Sequence, residues 1–198
     1  IAAVILWIIA LAMGLTLPKK SSVWGAFLIM GLLNNVIPFS LIVWGQTQMA
    51  SGLASILNAA TPIFTVLVAG LLLEDERPTA MKILGIAIGF TGVVVMIGLP
   101  ALSSSGNLIA QFAIITATIS YAFAGVYGRR FKIMQLNPIV IAAGQVTAST
   151  LVLLPITFFL EGPIDIISIS QVTWLSILTL AAASTAMAYI LYFKILEL

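Results

Sequence analysis

The sequence predicts an all-α protein, a polytopic membrane helix bundle, from two observations. First, 62% of the 198 residues are hydrophobic and only 7% are charged, whereas a water-soluble domain carries about 25% charged residues. Second, four ranges contain no charged side chain and are long enough to cross a membrane at least once: 21–73, 83–128, 133–160 and 166–193. These ranges lack the alternation of polar and apolar residues found in membrane β-barrels, so helices are expected.

Seven spans are expected, and capping residues mark several of their starts. The spans cover residues 1–17, 23–45, 51–73, 79–99, 107–128, 138–160 and 171–193. Thr79, Asn107 and Ser170 have side chains that can cap the helix that follows. Asn137 precedes Pro138, and proline is favoured at the first helical position because its missing N–H is not needed there. The chain begins inside an apolar run and ends directly after a helix, so a fragment of a longer protein is expected.

The basic residues predict the orientation of the chain in the membrane. All eight follow or precede spans on the same side: Lys19, Lys20, Arg77, Lys82, Arg129, Arg130, Lys132 and Lys194. The opposite turns, around Met49, Ala101 and Gly162, contain no Lys or Arg. By the positive-inside rule, the basic side is expected to face the cytoplasm. The expected location is a bacterial inner membrane.

A weak internal similarity relates the second span to the seventh. An offset of 150 residues places Trp24 on Trp174 and the two spans on each other. The seventh span comes five places after the second, an odd interval, so the second copy must be inverted in the membrane. Inverted repeats of this kind are a recurrent plan of secondary transporters.

The stretch from Trp44 to Gly92 contains the motifs that carry a family resemblance. In chain order these are Ala54-Ser55 after a short outer turn, Thr61-Pro62 within the span, the turn Glu76-Arg77-Pro78-Thr79, and Gly85 and Gly92. Their order and spacing resemble the EamA-type family of the drug/metabolite transporter superfamily. Asp75 departs from the family, which usually has glycine before the glutamate.

The resemblance implies ten helices in two inverted five-helix repeats, with these seven spans corresponding to helices two to eight. Residues 1–99 would then be most of the first repeat, and residues 100–198 the first part of the second. The family's central cavity would involve the second, third, fifth and seventh spans. The implied function is a secondary transporter that exports small metabolites such as amino acids by alternating access.

Polar residues within these four spans are the candidate substrate-binding residues. In the third span Ser51, Ser55, Asn58, Pro62 and Thr65 recur every three or four residues on one helix face. An amide such as Asn58 is costly in lipid unless it is paired, so this face points to protein or to water. Interhelical hydrogen bonding and a substrate path both explain it. The candidates are Asn34, Asn35, Pro38, Ser55, Asn58, Thr61, Ser120, Tyr121, Ser184, Thr185 and Tyr189.

Three local features of the sequence add further expectations. Pro38 lacks an N–H, so the carbonyl of Asn34 is expected to lose its helical hydrogen bond. The glycines Gly85, Gly89 and Gly92 are expected to form a packing seam. Glu76 and Arg77 are expected to form an ion pair in the turn or at a gate.

The composition disfavours other classes of function. The chain contains no cysteine and no histidine, and none of its acidic residues lies inside a span, so no enzyme, catalytic residue, metal site or cofactor is predicted. A seven-helix receptor is the alternative, although a retinal protein would need a lysine at mid-membrane. The expected partners are a small-molecule substrate and the lipid bilayer but no nucleic acid, and no oligomeric state is predicted.

Overall fold

The computed structural model describes residues 1–97, 107–162 and 169–197, and these residues contain helices and no β-strand. The predicted all-α class is therefore confirmed. The elements are α1 (Ala2–Ala12), α2 (Ser21–Gly31), the π-helix π1 (Leu32–Val36), α3 (Ile37–Gln46), α4 (Ser51–Asn58), α5 (Thr61–Leu72), α6 (Ala80–Ile97), α7 (Leu108–Gly128), α8 (Arg130–Ile133), α9 (Pro138–Glu161), α10 (Gln171–Thr179), the π-helix π2 (Leu180–Ala186) and α11 (Met187–Glu197).

The seven predicted spans all correspond to helical segments. Within the described ranges, five segments are long and apolar enough to cross a membrane: Ser21–Gln46, Ser51–Leu72, Leu108–Ile133, Pro138–Glu161 and Gln171–Tyr192. The segments Ala2–Ala12 and Ala80–Met96 are apolar but shorter. The turn predicted around Ala101 and the acidic residue Asp165 lie outside the described residues.

The four predicted capping residues all cap their helices. The side chains of Asn107 and Asn137 accept hydrogen bonds from the amides of Ile109 and Ile139, each at 2.9 Å. Ser170 Oγ accepts from the Thr173 amide at 3.1 Å, and Thr79 Oγ1 accepts from the Lys82 amide at 3.3 Å. These oxygens satisfy N–H groups that have no partner inside their own helix.

Helix α1 ends earlier than the sequence pattern predicts. Gly14 adopts a φ of +75°, a left-handed conformation that glycine tolerates without steric cost. The Gly14 amide donates to the Leu11 carbonyl and the Leu15 amide to the Ala10 carbonyl, both at 2.9 Å. This pair of bonds is the Schellman motif, which terminates α1 even though apolar residues continue beyond it.

Residues 1–32 and 128–198 form one compact unit around α9. Helix α9 contacts α1, α2 and α11. Gly144 of α9 lies so close to the ring of Phe27 that no β-carbon would fit, and Phe27 packs on Phe131 with 5.8 Å between ring centroids. Trp7 Nε1 donates to Thr147 Oγ1 at 2.9 Å, which joins α1 to α9.

Residues 33–127 form the second compact unit. Helix α4 packs on α3 and α6, and α5 packs on α6. Gly45 of α3 lies against α7, where a β-carbon at this position would be 3.0 Å from Cγ1 of Ile114. This unit contains eight of the eleven candidate residues, from Asn34 to Tyr121.

Candidate functional site

The second span contains a buried polar segment at π1. Asn34 and Asn35 lie within π1 and are 7% and 4% exposed. Pro38, which follows at the start of α3, is also buried. Two adjacent amides inside a membrane span are costly unless they meet polar groups, so this segment is specialised for polar contacts.

Ser120 of α7 supplies one such polar contact. Its hydroxyl, which is buried, donates to the main-chain carbonyl of Leu33 at 2.7 Å. This carbonyl lies where the five-residue spacing of π1 gives way to the four-residue spacing of α3, which begins at Ile37. The hydroxyl of Ser120 therefore supplies a donor to a main-chain acceptor at the junction between π1 and α3.

The expectation that Pro38 frees the carbonyl of Asn34 stays a prediction. Pro38 lies in α3, where amides reach back four residues, so its missing N–H is the one that would donate to Asn34. The contact of the Ser120 hydroxyl with the Leu33 carbonyl, one residue earlier, was not predicted.

The third span is interrupted between α4 and α5. Helix α4 ends at Asn58, and α5 begins at Thr61 with Pro62 as its second residue. Pro62 cannot donate to the carbonyl four residues earlier, which is that of Asn58. The hydroxyl of Thr61 donates to this carbonyl instead, at 2.6 Å. The predicted third span is present as the segment Ser51–Leu72, and its helix is interrupted by a turn at residues 59 and 60.

Asn58 is also distinguished by its side chain. Its Oδ1 atom is buried, and no donor among the described residues lies within hydrogen-bond distance of it. Buried amide oxygens nearly always have a partner, because leaving one unpaired costs about 1–3 kcal/mol. Asn58 Oδ1 is therefore an acceptor available to a water molecule or a ligand.

The other hydroxyls of the third span are satisfied within their own helices. Ser55 Oγ donates to the Ser51 carbonyl at 2.9 Å, and Thr65 Oγ1 donates to the Thr61 carbonyl, also at 2.9 Å. The side chain of Ser55 is exposed. Asn58 and the candidate residue Thr61 thus adjoin the helix break. Ser55 of the predicted polar face lies almost one turn before it.

A cavity of about 510 Å³ lies between α5 and α6. It is lined by Ala59, Pro62, Val66, Met81, Lys82, Gly85, Ile86, Gly89, Phe90 and Val93. Among the described residues, no atom outside the local helix backbone lies within 4 Å of a β-carbon placed at Gly85, Gly89 or Gly92. The expected packing seam along these glycines is therefore wrong, since two of them line open space.

The turn between α5 and α6 contains an ion pair with a different partner from the expected one. Lys82 Nζ lies 2.7 Å from Glu76 Oε2, so Lys82 pairs with Glu76 where Arg77 was expected. Both side chains are partly exposed, and such pairs contribute about 0–1 kcal/mol to stability. Lys82 also lines the cavity between α5 and α6.

The remaining candidates lie on α7 and on the seventh span. Tyr121 follows Ser120 on α7 and is partly buried. Ser184 and Thr185 lie within π2, and Tyr189 lies on α11. Ser184 is exposed, whereas Thr185 and Tyr189 are partly buried. The last three residues belong to the unit built around α9.

The sequence analysis missed a polar face on α9. Gln145 is fully buried and Ser149 is 3% exposed. The hydroxyl of Ser149 donates to the Gln145 carbonyl at 2.8 Å and approaches the Gly31 carbonyl at 3.3 Å. A glutamine and a serine four residues apart within an uncharged run were the available signal, because that spacing puts them on one helix face.

Several known proteins are similar in sequence to this chain. An uncharacterized transporter of Archaeoglobus fulgidus is 28% identical over 111 residues, which are 56% of this chain and 38% of that protein. The uncharacterized inner membrane transporter YedA of Escherichia coli strain K12 is 30% identical over 150 residues, which are 73% of this chain and 45% of that protein. Protein PagO of Salmonella typhimurium is 42% identical over 57 residues, which are 29% of this chain and 18% of that protein. The match therefore spans less than half the length of each of these curated relatives.

A solved crystal structure has the same fold, with a TM-score of 0.76 and 20% identity over 99% of this chain and 66% of that chain. The membrane-crossing helices and the transporter relatives together define an integral membrane protein of the transporter class. Residues 1–98 and 108–198 match the EamA-like transporter family, and the chain belongs to this family. The family resemblance predicted from the motifs is confirmed.

Proposed function

We propose that this chain is the central part of a secondary transporter for small metabolites such as amino acids, which works by alternating access. The observation that carries the proposal is the set of polar main-chain and side-chain groups at the two proline positions of the second and third spans. There the structure has two buried amides at Asn34 and Asn35, and a buried acceptor without a donor among the described residues at Asn58.

These groups favour a polar substrate that needs no charged partner. Amide and carbonyl groups recognise a ligand by hydrogen bonds, and no acidic or basic residue lies within the second or third span. Interrupted helices with freed backbone groups are a recurrent feature of transporter binding sites. A small metabolite with both N–H donors and a carboxylate, such as an amino acid, fits this chemistry.

The internal similarity between the second and seventh spans supports the proposed mechanism. In inverted-repeat transporters, two related halves rock about a central site and open it to each side of the membrane in turn. We assign residues 1–99 to the first repeat and 100–198 to the second. By the positive-inside rule, the eight basic residues support a cytoplasmic side for the loops that contain them, and the membrane we propose is a bacterial inner membrane.

The test is transport by single variants of the complete protein. Asn35→Ala and Asn58→Ala, reconstituted in vesicles, are expected to lose at least about 80% of the flux of a transported amino acid, because each removes a hydrogen-bonding group worth about 1–3 kcal/mol. Gln48→Ala removes an exposed amide outside the spans and is the matched control. Equal flux in all three variants at equal expression would contradict the proposed site, and the absence of flux for every amino acid in the unmodified protein would contradict the proposed substrate class.

A further inference from the structure

Two contacts fix the main chain at the start of the buried polar segment π1. The first is the close approach of α9 to Gly31, where a β-carbon would lie only 2.8 Å from Ser149 Oγ and 3.1 Å from the Gln145 carbonyl oxygen. The second is the hydrogen bond of 2.7 Å from the Ser120 hydroxyl to the Leu33 carbonyl. Both serines are buried, at 3% and 6% exposure. The backbone is therefore held directly before π1 and again within it.

The contact at Leu33 acts on the residue that follows it. A peptide unit is planar, so the Leu33 carbonyl lies in one plane with the amide nitrogen and the Cα atom of Asn34. A donor that fixes the direction of this carbonyl also fixes that plane. The direction of the Asn34 side chain then depends on one backbone angle, φ, and on its own rotamer. The close packing of Gly31, two residues before Leu33, restricts rotation of the segment as a whole.

The side chain that is oriented in this way has no partner of its own among the described residues. Asn34 is only 7% exposed, and the structure shows no hydrogen bond from its side-chain amide to a described residue. Buried polar side chains nearly always have a partner, so each exception needs an explanation. A buried amide with a fixed orientation and no partner is suited to bind a ligand, because binding then costs little further ordering of the protein.

We propose that Ser120 is a positioning residue, which orients the Asn34 amide for the substrate through the peptide unit between Leu33 and Asn34. Ser120 has a single O–H, and this group donates to the Leu33 carbonyl, so no donor is left for a substrate. The Asn34 amide offers one acceptor and two N–H donors, which suits a substrate that has both N–H groups and a carboxylate. The proposal rests on the proposed function and gives two of its candidate residues different roles: Asn34 contacts the substrate, and Ser120 holds Asn34 in place.

The first test measures the orientation of residue 34 without a transported substrate. In a cysteine-free version of the complete protein, Asn34→Cys is treated with methyl methanethiosulfonate, and the reaction rate is measured with and without Ser120→Ala. The rate is expected to change by at least about fivefold, because loss of the hydrogen bond releases the peptide plane that orients residue 34. Thr116→Ala removes an exposed hydroxyl that donates within the same helix, and it is expected to leave the rate unchanged.

Further variants separate the orientation of residue 34 from a general loosening of its unit. Ala54 is buried on α4 of the same unit, at 2% exposure, so the reaction rate of Ala54→Cys is expected not to respond to Ser120→Ala. Ser120→Thr and Ser120→Val have the same shape and differ in the hydroxyl, and this pair serves if Ser120→Ala does not fold. Threonine is expected to keep the rate at position 34, and valine to change it. An unchanged rate at position 34 without the hydroxyl, or equal changes at positions 34 and 54, would overturn the proposal.

The second test uses the flux of a transported amino acid. Ser120→Ala is expected to raise the KM by about fivefold or more with little change in the maximal rate per folded molecule, whereas mere structural damage would lower the amount of active protein and leave the KM unchanged. In the Asn34→Ala background the same substitution is expected to leave the KM unchanged, because the oriented group is gone. Effects that multiply in the double variant would overturn the proposal. If the unmodified protein transports no amino acid, the proposed function fails, and the thiol measurement still decides whether Ser120 positions residue 34.

Discussion

Ser120 and Leu33 are 87 residues apart, yet the Ser120 hydroxyl lies 2.7 Å from the Leu33 carbonyl and donates to it. The contact joins α7 to the second span at the junction between π1 and α3. A side chain from one helix thereby completes the hydrogen bonding of another. This relationship makes the stability of π1 depend on a residue far away in the sequence.

Ser120→Ala is expected to lower the free energy of unfolding by about 1–2 kcal/mol, because it leaves a main-chain acceptor unpaired in a buried position. Thr116→Ala on the same helix is the matched control, since Thr116 is exposed and its hydroxyl donates to Phe112 of its own helix. Thermal unfolding of both variants in detergent gives the comparison. Similar losses in both variants would show that the Ser120 contact contributes nothing specific.

Gly144→Ala is expected to destabilise the unit built around α9. A β-carbon at this position would overlap the ring of Phe27, so the ring or the helix must move, at a cost of about 1–3 kcal/mol. Gly125→Ala is the control, because a β-carbon there meets open space among the described residues and alanine favours the helix. Thermal unfolding should show a lower Tm for the first variant and an equal or higher Tm for the second. Equal shifts would contradict the close packing of Phe27 on Gly144.

The proposed orientation predicts opposite labelling of two exposed positions. Lys132→Cys lies on the basic side of the chain, and Gln48→Cys lies in the turn between the second and third spans. In right-side-out vesicles, a membrane-impermeant maleimide is expected to label position 48. In inside-out vesicles, the same reagent is expected to label position 132. The reverse pattern would overturn the assignment of the basic loops to the cytoplasm.

The positions of helix starts could be predicted from sequence because they depend on local chemistry. Asn107, Asn137, Thr79 and Ser170 cap the helices as expected, since a side-chain oxygen reaches an amide only two or three residues away. The end of α1 was predicted too late, because apolar residues continue past Gly14 and the hydropathy pattern hides the left-handed glycine that stops the helix.

The candidate site was less predictable, because its features depend on contacts between distant residues. The importance of proline at positions 38 and 62 was visible in the sequence, but the spacing of five residues in π1 was not. The contact between the Ser120 hydroxyl and the Leu33 carbonyl was not visible either, because it joins residues 87 positions apart. Gly85 and Gly89 were expected to allow close helix packing, and the structure leaves a cavity beside them. Small residues permit close approach and do not enforce it.

The offset of 150 residues, which places Trp24 on Trp174, also places π1, residues 32–36, on residues 182–186, which lie inside π2. A π segment holds one more residue than the α-helical turn it replaces, so it behaves as a one-residue insertion whose position can be compared between copies. A single insertion in a common precursor accounts for both segments, whereas two independent insertions at one register would be a coincidence. Under the proposed inverted repeat, the extra residue is therefore older than the duplication that separated the two spans.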